Sequence, residues 1–210
     1  QTEIGFDYLQ LLYLKPTQIL PILCLVSKER ATGKSTFLKW LKEIFEYNLT
    51  YLTNDSFSSN FNADWASKLL ICIDEVLFQT EILTERIKYL STTNVNKIEA
   101  KGKDRKEIEF FGKFILCSNN ETSFIKIDAV EIRFWVRKID SYEKEDVHFL
   151  SKLIKEIPAF LYFLSKRQLS TENKSRMWFT PHQIKTKALQ KLVKFNCNKL
   201  ESELAHVLIN

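Results

Sequence analysis

The 210-residue sequence predicts an α/β fold: a three-layer sandwich with a central, mostly parallel sheet, followed by a C-terminal helical region. Three observations lead there. Residues 22–26, 69–73 and 114–117 are continuous apolar runs, as expected of strands buried on both faces. Each run ends in polar or charged residues, and in open α/β sheets ligands gather outside the carboxyl ends of the strands. Beyond Tyr142 the apolar residues recur at helical spacing instead.

In chain order, residues 1–20 hold a helix with Ile4, Tyr8, Leu11 and Leu12 on one side, stopped by Pro16. Pro21 opens the strand at 22–26. The turn Thr32-Gly33-Lys34-Ser35-Thr36 follows, and Phe37, Leu41, Ile44 and Phe45 then carry a helix to about Tyr47. Strand, turn and helix in this order make a P-loop. Backbone N–H groups at a helix start wrap the phosphates of a nucleotide, a lysine reaches the β/γ oxygens, and a hydroxyl ligates Mg²⁺. Thr32, Gly33, Lys34, Ser35 and Thr36 fit the binding role, with Lys34 on phosphate and Ser35 on the metal. Lys34 is expected to face solvent. The first glycine of the usual motif is replaced by Lys28, which leaves the shape of the loop open. A chance Gly-Lys-Ser would look the same in isolation; the flanking strand and helix favour the P-loop.

Residues 48–62 are polar and read as a loop, with or without a short strand, and 63–68 as a helical turn. The run Leu69–Ile73 then delivers Asp74 and Glu75 to the same edge as the P-loop. Asp74 suits the metal, through water, and Glu75 suits polarising the attacking water. A helix is expected over 79–93 with Ile82, Arg86, Ile87 and Leu90 along one side. From Lys97 to Phe110 the residues alternate about a tip near Gly102, the pattern of a β-hairpin. Lys101, Lys103 and Arg105 at the tip suit contact with the phosphates of single-stranded nucleic acid, although a solvated charged turn has the same composition. The strand at 114–117 ends at Asn119, an amide able to orient water or touch the γ-phosphate. Residues 128–139 read as a turn and a strand from Phe134, with Arg133 and Arg137 as candidates to complete a neighbouring subunit's site. Farther on, Pro158 is expected to divide a helical run, and Thr180-Pro181 to start a helix reaching Leu192 and Val193.

The bulk properties set the frame. Net charge is +5, which permits a polyanionic partner without requiring one. Glycine and proline, four each, are too few for long linkers. Cys24, Cys72 and Cys117 lie inside apolar runs, so the four cysteines suggest a reducing compartment and no disulfide framework. The three histidines are scattered, against a structural zinc. No apolar run has membrane-spanning length and no signal peptide is evident. The chain begins at Gln1, so it reads as a piece of something longer.

The series SKERATGKST, LLICIDE, EAKGKDRKEIEFFGK, FILCSNN and EIRFWVRKI resembles, in order and compactness, the superfamily 3 helicase domain of phage and mobile-element primase–helicases. The resemblance covers roughly residues 20 to 165. It implies an ATPase of AAA+ type, a DNA helicase or translocase that assembles as a ring, usually a hexamer, around single-stranded DNA. It implies a core over 21–140, a C-terminal helical region over 141–210, and an N-terminal helix over 1–20 from a collar or linker. A primase domain on the same full-length chain and the cytoplasm of a bacterial or phage-infected cell are further implications. Residue by residue, it puts Lys34 and Ser35 on phosphate and Mg²⁺, Asp74 and Glu75 as the acidic pair, and Asn119 as the sensor. Arg133 becomes the finger reaching the next subunit, with Arg137 as the rival, and Lys101 and Lys103 face DNA. Two other readings stay open: a nucleotide-switched DNA-binding initiator with little turnover, which Lys28 keeps alive, and a small-molecule P-loop kinase.

Overall fold

The computed structural model describes residues 1–78, 80–128, 130–142 and 146–197. Its centre is a five-stranded sheet in which every neighbouring pair is parallel. The strands are β1 (Ile22–Val26), β2 (Leu49–Leu52), β3 (Leu70–Ile73), β6 (Lys113–Ser118) and β7 (Phe134–Lys138), in the order β2-β3-β6-β1-β7. A separate antiparallel hairpin is made by β4 (Val95–Ile98) and β5 (Lys106–Glu109). The helices are α1 (Thr2–Leu14), α2 (Lys34–Phe45), α3 (Asn54–Ser58), α4 (Glu81–Leu90), α5 (Phe149–Lys166) and α6 (Pro181–Ile184), with a further helical segment, α7, over 187–197.

Strand alternation sorts the apolar residues into two cores. Ile22, Cys24 and Val26 of β1 pack on one face with Ile87 and Leu90 of α4, Phe57 of α3, and Leu189 and Leu192 of α7. Leu23 and Leu25 point to the opposite face, against Tyr8, Leu11 and Leu12 of α1 and Leu38, Trp40 and Leu41 of α2. Leu153, Ile157 and Phe160 of α5 close that second layer. The N-terminal helix is thus built into the domain, with the Tyr8 ring 5.6 Å from Trp135 of β7.

Polar links reinforce these layers. Lys113 is buried at the start of β6, where its ammonium donates to the carbonyls of Phe111 (2.6 Å) and Pro16, just beyond α1. Burial pushes its pKa down to about 8. Gly112, beside it, fills a gap that admits no larger residue. A Cβ there would meet the Phe110 ring at 2.7 Å and Ile71 Cδ1 at 2.9 Å. Gly112→Ala is therefore expected to cost about 1–3 kcal/mol of stability, read from denaturant midpoints.

Several expected boundaries shift. Residues 48–62 hold both a strand and the short helix α3, and 63–67 form turns without a helix. Ile82 does not face the core but is 79% exposed, because the buried stripe of α4 runs through Thr84, Ile87 and Lys88. Lys88 reaches that stripe because its ammonium is paired with Glu131 at 3.2 Å. Pro158 does not divide α5, which continues through it as one helix lying against α1 and α2. The helix starting at Thr180, with a capping box to Gln183, ends at Ile184. Thr186 interrupts it: its hydroxyl donates to the Val136 carbonyl and accepts from Leu189 N–H at 3.1 Å, starting α7 afresh.

Candidate functional site

Because the sheet is parallel, β1, β6 and β3 deliver their carboxyl ends to one edge, and β6 lies between the other two. The segments following these three strands face one another across an open cleft of about 490 Å³. It is lined by residues 30–36 after β1, by Asp74 and Glu75 after β3, and by Asn119 after β6.

The loop between β1 and α2 is shaped by its own residues. Ser27 stays on the sheet through its N–H to the Ser118 carbonyl (3.2 Å). Its hydroxyl accepts from Glu29 N–H at 3.0 Å and donates to the Glu29 carbonyl at 2.9 Å, folding the first turn. The left-handed positions are Ala31 (φ 55°) and Gly33 (φ 81°). Lys28 has no positive φ and is exposed, so its position makes no demand for glycine. Gly33 is doubly constrained: a Cβ there would also lie 3.0 Å from the Tyr142 ring.

Lys34, expected in solvent, is only 7% exposed. Its ammonium folds back along the loop and donates to Thr32 Oγ1 at 3.0 Å. Next to it, the Ser35 hydroxyl donates to Asp74 Oδ2 at 2.8 Å, and Asp74 Oδ1 accepts from Glu75 N–H at 3.1 Å. Glu75 sits in a left-handed conformation (φ 57°) with its side chain exposed to the cleft. Asn54 of α3 holds that turn from the side. Its amide donates to the Glu75 carbonyl (3.2 Å), and its oxygen accepts from Leu77 N–H (3.0 Å). After β6, the Asn120 side chain is spent on a turn, accepting from Thr122 and Ser123 N–H, whereas Asn119 lines the cleft.

Ser35 and Asp74 are adjacent oxygen donors opening on the cleft, a set that suits Mg²⁺. Among the described residues no group of three or more His, Cys, Asp or Glu side chains could hold a metal unaided. An ion here would have to draw most of its ligands from outside the protein, as Mg²⁺ commonly does from water. Beneath the cleft, burial pushes the Cys117 and Cys72 thiols up, so neither supplies a nucleophile. A second cleft of about 350 Å³ lies on the far side of Gly33, between α2 and the start of α5, with Tyr142, Asp146 and Phe149 in its wall.

The remaining expected residues lie away from the cleft. The Arg133 carbonyl accepts from Ile22 N–H at 2.8 Å, which puts this arginine at the amino end of the sheet, opposite the loop. Its Nη1 donates to both Glu131 carboxylate oxygens at 3.0 Å, and its Nε is buried without an acceptor. Arg137 lies 5.5 Å over the Trp135 ring, and burial lowers its pKa. Lys101, Lys103 and Arg105 are exposed on the hairpin turn, where Gly102 is left-handed (φ 72°). Arg105 is paired with Glu99 at 2.7 Å, while the two lysines form no ion pair among the described residues. Buried Asn62 secures the hairpin base, donating to the Lys97 carbonyl (2.8 Å) and accepting from Glu99 N–H (2.7 Å). Sequence reasoning missed Arg30, Asn54, Asn62 and Tyr142. Arg30 stood within the quoted loop; the other three come from polar segments with no periodicity to mark them.

Fold and site define an α/β protein in which a strand-to-helix loop and two neighbouring parallel strand ends share one polar cleft. The chain belongs to a family of unknown function (DUF5906), whose profile matches residues 25–133, from within β1 to Arg133. No curated protein matches it. Among solved structures it is similar to the apo NrS-1 C-terminal region (305–718), with a TM-score of 0.79 and 19% identity over 92% of this chain and 47% of that one. An A-form apo structure of the same region gives 0.76 and 20%, over 92% and 46%. The likeness is therefore one of fold, and this chain spans about half of that region. JCV helicase matches at a TM-score of 0.42 and 16% identity, too loosely to argue from. Among the described residues no helix is long and apolar enough to cross a membrane.

Proposed function

We propose that this chain is the ATP-hydrolysing motor module of a DNA helicase or translocase, related to superfamily 3 and the AAA+ ATPases and working as a ring, usually a hexamer. The observation that carries the reading is the convergence of Lys34, the Ser35–Asp74 pair, Glu75 and Asn119 on one cleft from three adjacent strand ends. On this reading the amides at the start of α2 and the Lys34 ammonium bind the β and γ phosphates of ATP. Ser35 and Asp74 hold Mg²⁺, which neutralises charge developing on the phosphates. Glu75 accepts a proton from the attacking water, and Asn119 orients that water beside the γ-phosphate. The base takes the second cleft, with Tyr142 at its edge. Arg133, at the far end of the sheet, serves a neighbouring subunit's site, and Lys101 and Lys103 grip single-stranded DNA. The rival reading, a nucleotide-switched initiator with little turnover, is excluded by turnover that rises with added single-stranded DNA. A primase domain elsewhere on a longer chain and action in a bacterial cytoplasm belong to the same proposal.

The test is turnover per subunit against protein concentration, with and without single-stranded DNA, beside the mass with a non-hydrolysable analogue. The rate is expected to rise with assembly and again with DNA. A flat rate across a range where the mass shows dissociation sinks the ring mechanism. In the same series, Lys101→Ala/Lys103→Ala is expected to weaken DNA binding and reduce its salt slope by about two. Arg105→Ala is expected to do less, since Glu99 already neutralises that charge.

A further inference from the structure

The cleft wall carries two cations, Lys34 and Arg30, against the two acids Asp74 and Glu75. Lys34 is buried, with its ammonium on the Thr32 hydroxyl. Arg30 is exposed and forms no ion pair among the described residues. Its place along the cleft follows from the loop. Residues 32–35 run into the first turn of α2, beside Asp74, where the nucleotide reading puts the metal and the β and γ phosphates. Arg30 precedes the left-handed turn at Ala31, on the limb that Ser27 ties to Ser118, next to Asn119. On the nucleotide reading Asn119 marks the γ-phosphate, so the limb tied to the end of β6 borders the outer end of the phosphate row, where a triphosphate carries one more group than a diphosphate. Among the described residues no other arginine lines the cleft, and Arg133 sits at the opposite end of the sheet, paired with Glu131.

We propose that Arg30 contacts the terminal phosphate within its own subunit, so that the site distinguishes nucleoside triphosphate from diphosphate before any neighbour docks. This rests on the nucleotide reading of the cleft and adds a residue to it. A guanidinium fork matches two phosphate oxygens, and a charge-assisted pair at the mouth of a cleft is strong enough to bias the choice of ligand.

The experiment is calorimetric binding of the Mg²⁺ complexes of a non-hydrolysable ATP analogue and of ADP, at a concentration where the chain is monomeric. Wild type, Arg30→Ala and Arg30→Lys are compared. The wild type is expected to prefer the triphosphate analogue. Arg30→Ala is expected to lose about tenfold in affinity for the analogue and under about threefold for ADP, with Arg30→Lys recovering part of the loss. Equal losses for both ligands, or none for either, overturn the role of Arg30 while leaving the cleft a nucleotide site. A wild-type chain that binds neither ligand overturns the nucleotide reading itself, and the role of Arg30 with it.

Discussion

Lys34→Ala is expected to reduce ATP turnover by at least about 100-fold, the scale of removing a preorganised charge from a phosphoryl-transfer site. Phosphate release is the measurement. Among the described residues the ammonium has one protein partner, the Thr32 hydroxyl at 3.0 Å, and both groups border the open cleft. Removing the side chain therefore leaves a hydroxyl that water can reach, not an orphaned polar group in a core. The variant should stay folded, with its thermal midpoint within a few degrees of wild type (under about 1 kcal/mol). Because Lys34 is largely buried against the loop, phosphate must draw its ammonium away from Thr32. Nucleotide binding should thus be visible as a local change in the loop. Normal turnover in Lys34→Ala would show that the lysine is not on the phosphate.

The second large effect is on stability. Asp7 of α1 is fully buried, and its carboxylate accepts from Arg167 Nη1, from Ser170 N–H (3.0 Å) and from the Ser170 and Thr171 hydroxyls (2.8 and 2.7 Å). Arg167, just past α5, is also held by Glu3 at 2.7 Å and Gln10 at 2.8 Å. This cluster clasps the first helix to the end of α5. Asp7→Ala leaves a largely buried guanidinium with Glu3 as its remaining carboxylate, a loss of about 3 kcal/mol. The melting temperature is expected to fall by about 10 °C. Burial by itself would raise the Asp7 pKa, but the hydrogen bonds from Thr171, Ser170 and Arg167 outweigh it and hold the carboxyl below its ordinary value. A folded pKa below the unfolded one gives stability that is present above about pH 4 and lost as pH falls through the folded pKa. Asp7→Asn should therefore be less stable than wild type at pH 7, with the gap closing in acid. Denaturant midpoints from pH 7 to about pH 3 check this, and a constant gap would remove Asp7 from the pH response.

The parts of the fold carried by contiguous residues were legible. Strands β1, β3 and β6 announced themselves as apolar runs, and the hairpin by alternation about Gly102, because local geometry imposes those patterns. The loop residues Thr32 to Ser35 and the acids at 74 and 75 were likewise readable, since each motif sits in one stretch. What stayed hidden depends on partners distant in sequence. Nothing near Ile82 says that Lys88 will be drawn inward by Glu131 and rotate the buried face of α4. Asp7 looked like any polar residue of an amphipathic helix, because its partners lie some 160 positions away. Pro158 marked a break that did not occur, since the packing of α5 on α1 and α2 outweighs one missing hydrogen bond. Strand order was also unreadable, although it alone decides that Asn119 emerges between the loop and the acids.

Two asparagines acquire a joint meaning from their positions. Asn54 grips the turn that carries Glu75, and Asn62 grips the base of the basic hairpin. The 54–62 segment between them is braced midway by Arg86, which donates to the Ser58 and Ser59 carbonyls at 3.1 and 2.8 Å. The same short segment thus joins the acidic turn to the foot of the hairpin through side-chain hydrogen bonds at each end and at its middle.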